Sequence, residues 1–330
     1  MTKQQVVSLD GRRLTLTNLD KLLWPKDAID KAELIHYYVA IYPIIRKHLY
    51  QRPLVVTRYP DGIYGESFYQ KNIPDYAPEW IQTCPIYSEE SARTINFILV
   101  NDLPTLCWLA NQACIELHPW MSRSNKLEYP DFAVIDLDPS EGATYQDACE
   151  VALVLKTVLD ELGLVSYPKT SGATGLHIYL PVRPEYTYEE IRWLTQRIAE
   201  IVVELIPEKA TIVRQVKKRA GRVYVDYLQN IRGKTLCAPY SVRPLDQAPV
   251  STPLQWHEVP GSDPKNFTIR TIMPRLQEVG DLFAPVIETS QSLETAFSRL
   301  GYRQITQNSR PSRRQSSPPD NIPDIQNRNI

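Results

Sequence analysis

The segment FAVIDLDP, residues 132 to 139, constrains the fold of this chain more than any other stretch. Four apolar residues in succession fit a core strand, and two aspartates one residue apart end it before a proline. On a strand, residues i and i+2 share a face, so Asp136 and Asp138 stand side by side while Leu137 packs behind them. Left unpaired, the two charges repel. Divalent cations bound through carboxylate oxygens remove that repulsion, and a pair of such ions can hold the attacking and leaving oxygens of a phosphoryl transfer. A strand end at which one aspartate caps the next turn fits the same three residues, so the motif alone leaves both readings open.

Composition frames the rest. With 330 residues, 43% of them hydrophobic, the chain can bury a large core as one big domain or two lobes. It has no run of about 18 apolar residues, and its start, MTKQQVVSLDGRR, lacks the apolar stretch of a signal peptide. A cytoplasmic protein with no membrane association is expected. The five cysteines form no CxxC pair and no Cys/His spacing suited to zinc, which reads as reduced core thiols. The net charge of -1 hides a segregation. From Lys209 to Arg243 there are nine Lys or Arg against the single acid Asp226, and from Glu128 to Glu161 nine acids against the single base Lys156. Either run fits a solvated face, but a basic strip around one carboxylate also suits a polyanion held beside a metal.

Strands and helices alternate. RLTLT (13 to 17) reads as a strand, and Asp30 with Glu33 forms a capping box for a helix through AELIHYYVAIYPIIRKHL. PLVVTRYP, SFYQK and TINFILV read as strands, and LPTLCWLANQACIEL (103 to 117) as one buried helix. Amphipathic helices are expected over 144 to 164 and 187 to 206, with VSYPKT and LHIYLPV between them as strands joined by SGATG. RVYVDYLQN and KTLCAPYSV read as a late pair of strands connected through IRG. From residue 303 to 330 the chain turns to Ser, Pro, Arg and Asn, which predicts a disordered basic tail.

A third carboxylate lies in RVYVDYLQN, where Tyr224, Asp226 and Leu228 share one face. An aspartate there needs a cation or a hydrogen-bond partner, and a salt bridge to a nearby arginine is the plainer solution. KTSGATGLHIYLP offers a companion feature. Ser171, Gly172 and Gly175 let backbone N-H groups and a hydroxyl approach phosphate oxygens, and His177 on the following strand can donate to the same anion. Three acids and a Ser/Gly/His cradle together describe a nucleoside triphosphate site.

In order, IDLDP, SGATGLHIYLP and VYVDYLQN resemble the three motifs of the archaeo-eukaryotic primase superfamily. LTNLDKLLWP, SFYQKNIPDYAPEW, ELHPW, KTLCAPYSVR and VSTPLQW extend the likeness over roughly residues 10 to 285. They resemble the polymerase domain of bacterial ligase D in a stand-alone form. The resemblance implies an α+β primase-polymerase domain over 1 to 302, with an N-terminal α/β lobe to about 125. A central, mostly antiparallel RRM-like catalytic sheet flanked by helices would follow over about 126 to 302. It implies template-directed addition of NTP or dNTP, ribonucleotides preferred, to primer 3'-ends at gaps or double-strand breaks in non-homologous end joining. Two Mn2+ or Mg2+ ions would assist.

Carried over by position, Asp136, Asp138 and Asp226 would be catalytic metal ligands. Ser171, Gly172, His177, His118, Arg219 and Arg243 would bind the nucleotide. Lys21 and Lys31 would hold the 5'-phosphate across a DNA gap, Lys31 in a first helical turn whose N-H groups also favour an anion. Phe68 and Tyr69 would stack on template bases, although strand alternation would turn one of them into the core. Thr174 stands where such relatives often have lysine, which leaves the charge to Lys169 or another base, and Thr57 leaves Arg58 alone on its strand. With no KxDG motif, sealing would need a separate ATP-dependent DNA ligase, alongside a Ku-like end-binding protein at the nucleoid. A metal-dependent nuclease and a non-catalytic DNA-end binding module are the rival readings.

Overall fold

A computed structural model describes residues 4 to 302. Strands β1 (Gln4–Leu9) and β2 (Arg12–Thr17) form an antiparallel hairpin turned by Asp10 and Gly11, both at positive φ. The short pair β3 (Leu22–Trp24) and β4 (Ile29–Asp30) leads into α1 (Lys31–Leu49). The Asp30 carboxylate accepts the N-H of Glu33 at 2.9 Å, the first half of the expected capping box. The reciprocal bond is absent from the cap because the Glu33 carboxylate pairs with Arg270, at 2.7 and 3.0 Å. Leu34, Tyr38, Ile41, Ile45 and Leu49, three or four residues apart, form the buried stripe of α1.

The first large sheet contains β5 (Leu54–Arg58), β6 (Phe68–Gln70), β7 (Thr83–Ser88) and β8 (Arg93–Ile98), in the order β6-β5-β8-β7. Where one helix over 103 to 117 is expected, α2 (Leu103–Asn111) ends early and β9 (Cys114–Pro119) pairs antiparallel with β5. The segment is apolar on every side, so no periodicity marks the boundary. Ala113, at φ 56°, turns the chain out of the helix.

The second sheet carries β10 (Phe132–Pro139), β11 (Tyr167–Thr170), β12 (Leu176–Pro181), β13 (Ala210–Thr211) and β14 (Val223–Asp226). Its order is β11-β12-β10-β14-β13, antiparallel except for the β13–β14 pair. Helices α3 (Tyr145–Glu161) and α4 (Tyr188–Leu205) each start with a complete capping box, Thr144 with Asp147 and Thr187 with Glu190. Their apolar sides cover one face of the sheet, where Ile135, Leu137, Ile178 and Val225 meet Leu155, Leu194 and Ile198. The opposite face is free of helices α3 and α4 and carries the polar residues.

KTLCAPYSV does not form the expected strand beside β14, whose partners are β10 and β13. It runs as turns with isolated bridges, Trp120 to Thr235 and Val242 to Val250, because Pro239 donates no N-H and Tyr240 sits at φ 66°. Helices α5 (Ile272–Val279), α6 (Ala284–Glu288) and α7 (Glu294–Arg299) complete the described chain. All five cysteines are buried and unpaired. Among the described residues no helix is long and apolar enough to cross a membrane. The expected tail, 303 to 330, lies outside the described residues.

Candidate active site

Strand register builds the site. Lys169 on β11, His177 on β12, Asp136 on β10 and Asp226 on β14 face one another in a single row across the sheet, and Asp138 faces Tyr224 in the next row. The three expected carboxylates therefore share one face, with Leu137 fully buried behind them. Asp226 accepts the Leu228 N-H at 2.8 Å and the Gln229 side-chain amide at 3.0 Å, and the Tyr224 hydroxyl lies 3.3 Å away. Asp136 has weaker support. The Gln229 amide reaches it only at 3.5 Å, and His177 Nε2 stands at 3.5 Å.

Burial, followed by the charges of Asp226 and Asp138, pushes the Asp136 carboxyl up to about 7. Asp226 is also raised, mainly by burial, with its hydrogen bonds opposing the shift. Burial and the nearby Lys169 and Arg243 charges hold His177 well below its ordinary range, so the imidazole facing Asp136 is neutral, and its Nδ1 is buried without a partner. The salt bridge considered for Asp226 forms at Asp138 instead, to Arg219 at 3.1 Å, with the guanidinium 3.9 Å over the Tyr224 ring.

Hard carboxylate oxygens crowded to this degree fit a divalent cation, which would relieve the repulsion that raises Asp136. Among the described residues no three His, Cys, Asp or Glu are gathered into a ready-made cage. Asp138 is drawn toward Arg219, and Asp226 is engaged by its own strand end.

The SGATG loop closes over this row. Gly175 is packed so closely that a Cβ would run into the Leu137 carbonyl. Gly172, at φ 77°, would bring a Cβ to 2.7 Å from Arg243 Cγ and 2.9 Å from the Ser251 nitrogen. Ser171 Oγ accepts the N-H groups of Ala173 at 3.1 Å and Gly175 at 3.0 Å, so two expected phosphate donors are held within the loop. A cleft of about 230 Å³ lies between these parts, lined by His118, Asp136, Asp138, Ser171, His177 and Arg243 among others.

Lys169 does not replace the charge missing at Thr174. It is fully buried at the β11 end of the row, bonded to Ser251 Oγ, and burial lowers it to about 7. Two residues not singled out from the sequence also belong here. Gln229 bridges the facing aspartates, and Glu116 on β9 stands 3.1 Å from Arg243 Nε and 3.7 Å from His118 Nε2. Each lies inside a quoted motif, VYVDYLQN and ELHPW, and the i, i+2 spacing of Glu116 and His118 on one strand face was the available signal.

Phe68 and Tyr69 are both exposed, at 53% and 58%, where alternation was expected to bury one. β6 is the outer strand of its sheet, with both faces open at this point. The Tyr69 hydroxyl lies 3.2 Å from Thr235 Oγ1, and its ring 6.4 Å from His118, at the lip of the cleft. Arg58 donates to the Tyr76 hydroxyl at 2.7 Å and to the Gln112 carbonyl at 3.1 Å, beside a buried Thr57.

Lys21 is paired with Asp61 at 2.6 Å. Lys31 is buried, donates to the Asn111 carbonyl at 3.1 Å, and is pushed down to about 8 by burial and by Lys21. The expected anion site at the start of α1 is filled from within the chain. Lys31 N-H goes to the Lys21 carbonyl, Ala32 N-H to the Leu19 carbonyl, both at 2.9 Å, and Glu33 N-H to Asp30.

Comparison with known proteins gives a consistent result. The family model described as LigD, primase-polymerase domain, matches residues 30 to 283. The chain is similar to the bifunctional non-homologous end joining protein LigD of Bacillus subtilis, 41% identical over 271 residues, which are 81% of this chain and 43% of that protein. It is 33% identical over 276 residues to the multifunctional LigD of Mycolicibacterium smegmatis, covering 83% of this chain and 36% of the other. It thus spans about two fifths of the length of these relatives. Among solved structures, the polymerase domain of Mycobacterium tuberculosis ligase D in complex with DNA superimposes with a TM-score of 0.78 at 29% identity, over 84% of this chain and 99% of that one.

Proposed function

The chain belongs to the LigD primase-polymerase domain family, and on that premise we propose that it is a template-directed nucleotidyltransferase filling gaps at broken DNA ends. The observation that carries this reading is the register of Asp136 against Asp226, two carboxylates face to face with a neutral His177 beside Asp136. Asp136, Asp138 and Asp226 would hold two divalent ions, Mn2+ or Mg2+, which supply charge neutralisation on the phosphates and acidify the primer 3'-hydroxyl. Gln229 orients the Asp226 carboxylate for that task. Arg219, which pairs with Asp138 at 3.1 Å, would meet the triphosphate together with Arg243, His118 and His177. Opening of the Ser171 bonds frees the Ala173 and Gly175 N-H groups for phosphate oxygens. The chain's own contribution is positioning and electrostatics.

Phe68 and Tyr69 would stack on template bases without reading sequence. Lys21, once released from Asp61, and Lys31 behind it would supply positive charge for a downstream 5'-phosphate. The substrate would be gapped or broken DNA, with ribonucleotides preferred, in the cytoplasm at the nucleoid. A separate ATP-dependent ligase and a Ku-like end-binding protein would complete repair. A nuclease reading is disfavoured because hydrolysis needs no triphosphate cradle.

The test is extension of a labelled primer across a short gap with ribo- and deoxyribonucleotides in Mn2+ or Mg2+, with and without a 5'-phosphate. Templated addition, lost in Asp136→Ala, is expected. Tight binding with no addition would instead make this an end-binding module, and shortening of the primer would make it a nuclease.

A further inference from the structure

Resting on the triphosphate reading above, we infer that Glu116 is a positioning residue that sets nucleotide affinity through Arg243 and His118 without touching the nucleotide. Its carboxylate joins side chains from three separate segments. Oε1 lies 3.1 Å from Arg243 Nε, while Oε2 lies 3.7 Å from His118 Nε2 and accepts the Tyr59 hydroxyl at 3.4 Å. Glu116 itself is 7% exposed. Burial alone would raise such a carboxyl, but His118 and Arg243 outweigh it and leave the group below its ordinary range, charged at neutral pH.

The geometry at Arg243 gives this charge its purpose. The guanidinium meets Glu116 through Nε, without the alignment of a hydrogen bond, which leaves the two terminal nitrogens for an anion in the cleft that Arg243 lines. On its other side the Arg243 stalk presses against Gly172, where not even a methyl group would fit. Among the described residues Glu116 is the one carboxylate within ion-pair distance of Arg243. Asp136 and Asp138 line the same cleft, and neither is within ion-pair distance of Arg243. Glu116 therefore gives Arg243 a fixed counter-charge away from the aspartates, keeping the guanidinium from occupying the place of a cation. The same carboxylate sets a negative charge 3.7 Å from Nε2 of His118, two residues along β9.

Glu116→Gln keeps the shape and removes the charge. Titration with a fluorescent ribonucleoside triphosphate in Mn2+, and the KM and kcat of gap filling, would be measured beside affinity for gapped DNA and Tm. Triphosphate affinity should fall and KM rise about tenfold to a hundredfold, with kcat at saturation within about threefold and DNA affinity and Tm unchanged. In an Arg243→Ala background the same change should add little further loss. Glu116→Asp, which keeps the charge but withdraws it by one methylene, should give an intermediate KM and carries the test if the Gln variant does not fold. An unchanged KM, an undiminished loss in the Arg243→Ala background, or a parallel fall in DNA affinity and Tm would overturn the assignment. Wild-type protein that binds no triphosphate would sink the triphosphate reading itself, whereas normal wild-type binding with an undisturbed Gln variant sinks only the role of Glu116.

Discussion

Asp281, in the seam between α1 and α6, and Asp136, on the catalytic sheet, are buried to nearly the same extent, with 12% and 17% of their side chains exposed. Their surroundings treat them in opposite ways. Asp281 accepts the Tyr240 hydroxyl at 2.6 Å and the Phe283 N-H at 3.0 Å, and His48 Nε2 stands at 3.4 Å. Burial raises it, but the His48 contact and these hydrogen bonds outweigh burial and hold it below the ordinary aspartate value. Asp136 has two other carboxylates for neighbours and sits near 7. Burial alone does not distinguish a structural charge from a functional one. The distinction lies in whether the fold itself completes the group's partners.

The largest expected effect is on activity. Asp226→Asn should cut nucleotide addition by about a thousandfold or more while leaving affinity for gapped DNA intact, measured by single-turnover extension and by filter binding. If addition persisted, the crowding on the sheet would be structural after all.

Stability should separate the two aspartates by sign. The folded Asp136 carboxyl is raised from 3.8 to about 7, so its proton is held more tightly in the fold, and stability falls as pH rises between those values. Asp136→Asn removes a penalty of about 2 to 4 kcal/mol above pH 7. The metal-free variant should then melt about 2 to 6 °C higher than wild type at pH 8, and no higher at pH 4. Asp281 is depressed, so its contribution is present above the unfolded value and is lost as pH falls through the folded one. Asp281→Asn should cost about 1 to 2 kcal/mol at pH 7, and the cost should vanish in acid, as read by urea unfolding at several pH values. Equal signs for the two variants would break the comparison. The smallest effect is expected at Gln229, where Gln229→Ala should slow extension about threefold to tenfold with little change in Tm, because Asp226 keeps its Leu228 and Tyr224 bonds.

The Asp136 side of this contrast was legible in the sequence, and the Asp281 side was not. The apolar run before Asp136 fixed a core strand, the i, i+2 rule put Asp138 on the same face, and Asp226 had to find a place in a basic strip. What the sequence could not supply was register. That Asp136 faces Asp226 and His177 depends on strands some 40 and 90 residues away. The β9 strand was hidden because an apolar run shows no period, and the placement of Glu116 was hidden with it. The first turn of α1 was misjudged for another reason. Its N-H groups are taken by carbonyls of the preceding loop, long-range bookings that no local pattern records.

Gly175 has a consequence beyond its role in the loop. Because even a Cβ at Gly175 would run into the Leu137 carbonyl, the SGATG loop and the aspartate-bearing strand share one reference surface and cannot drift apart independently. Any change of nucleotide preference by drift or by design must come from parts not tied to that surface, such as the open strand bearing Phe68 and Tyr69 or the segment bearing Arg219. Position 175 thereby divides the site into a portion whose dimensions are inherited as a block and a portion that can be retuned residue by residue.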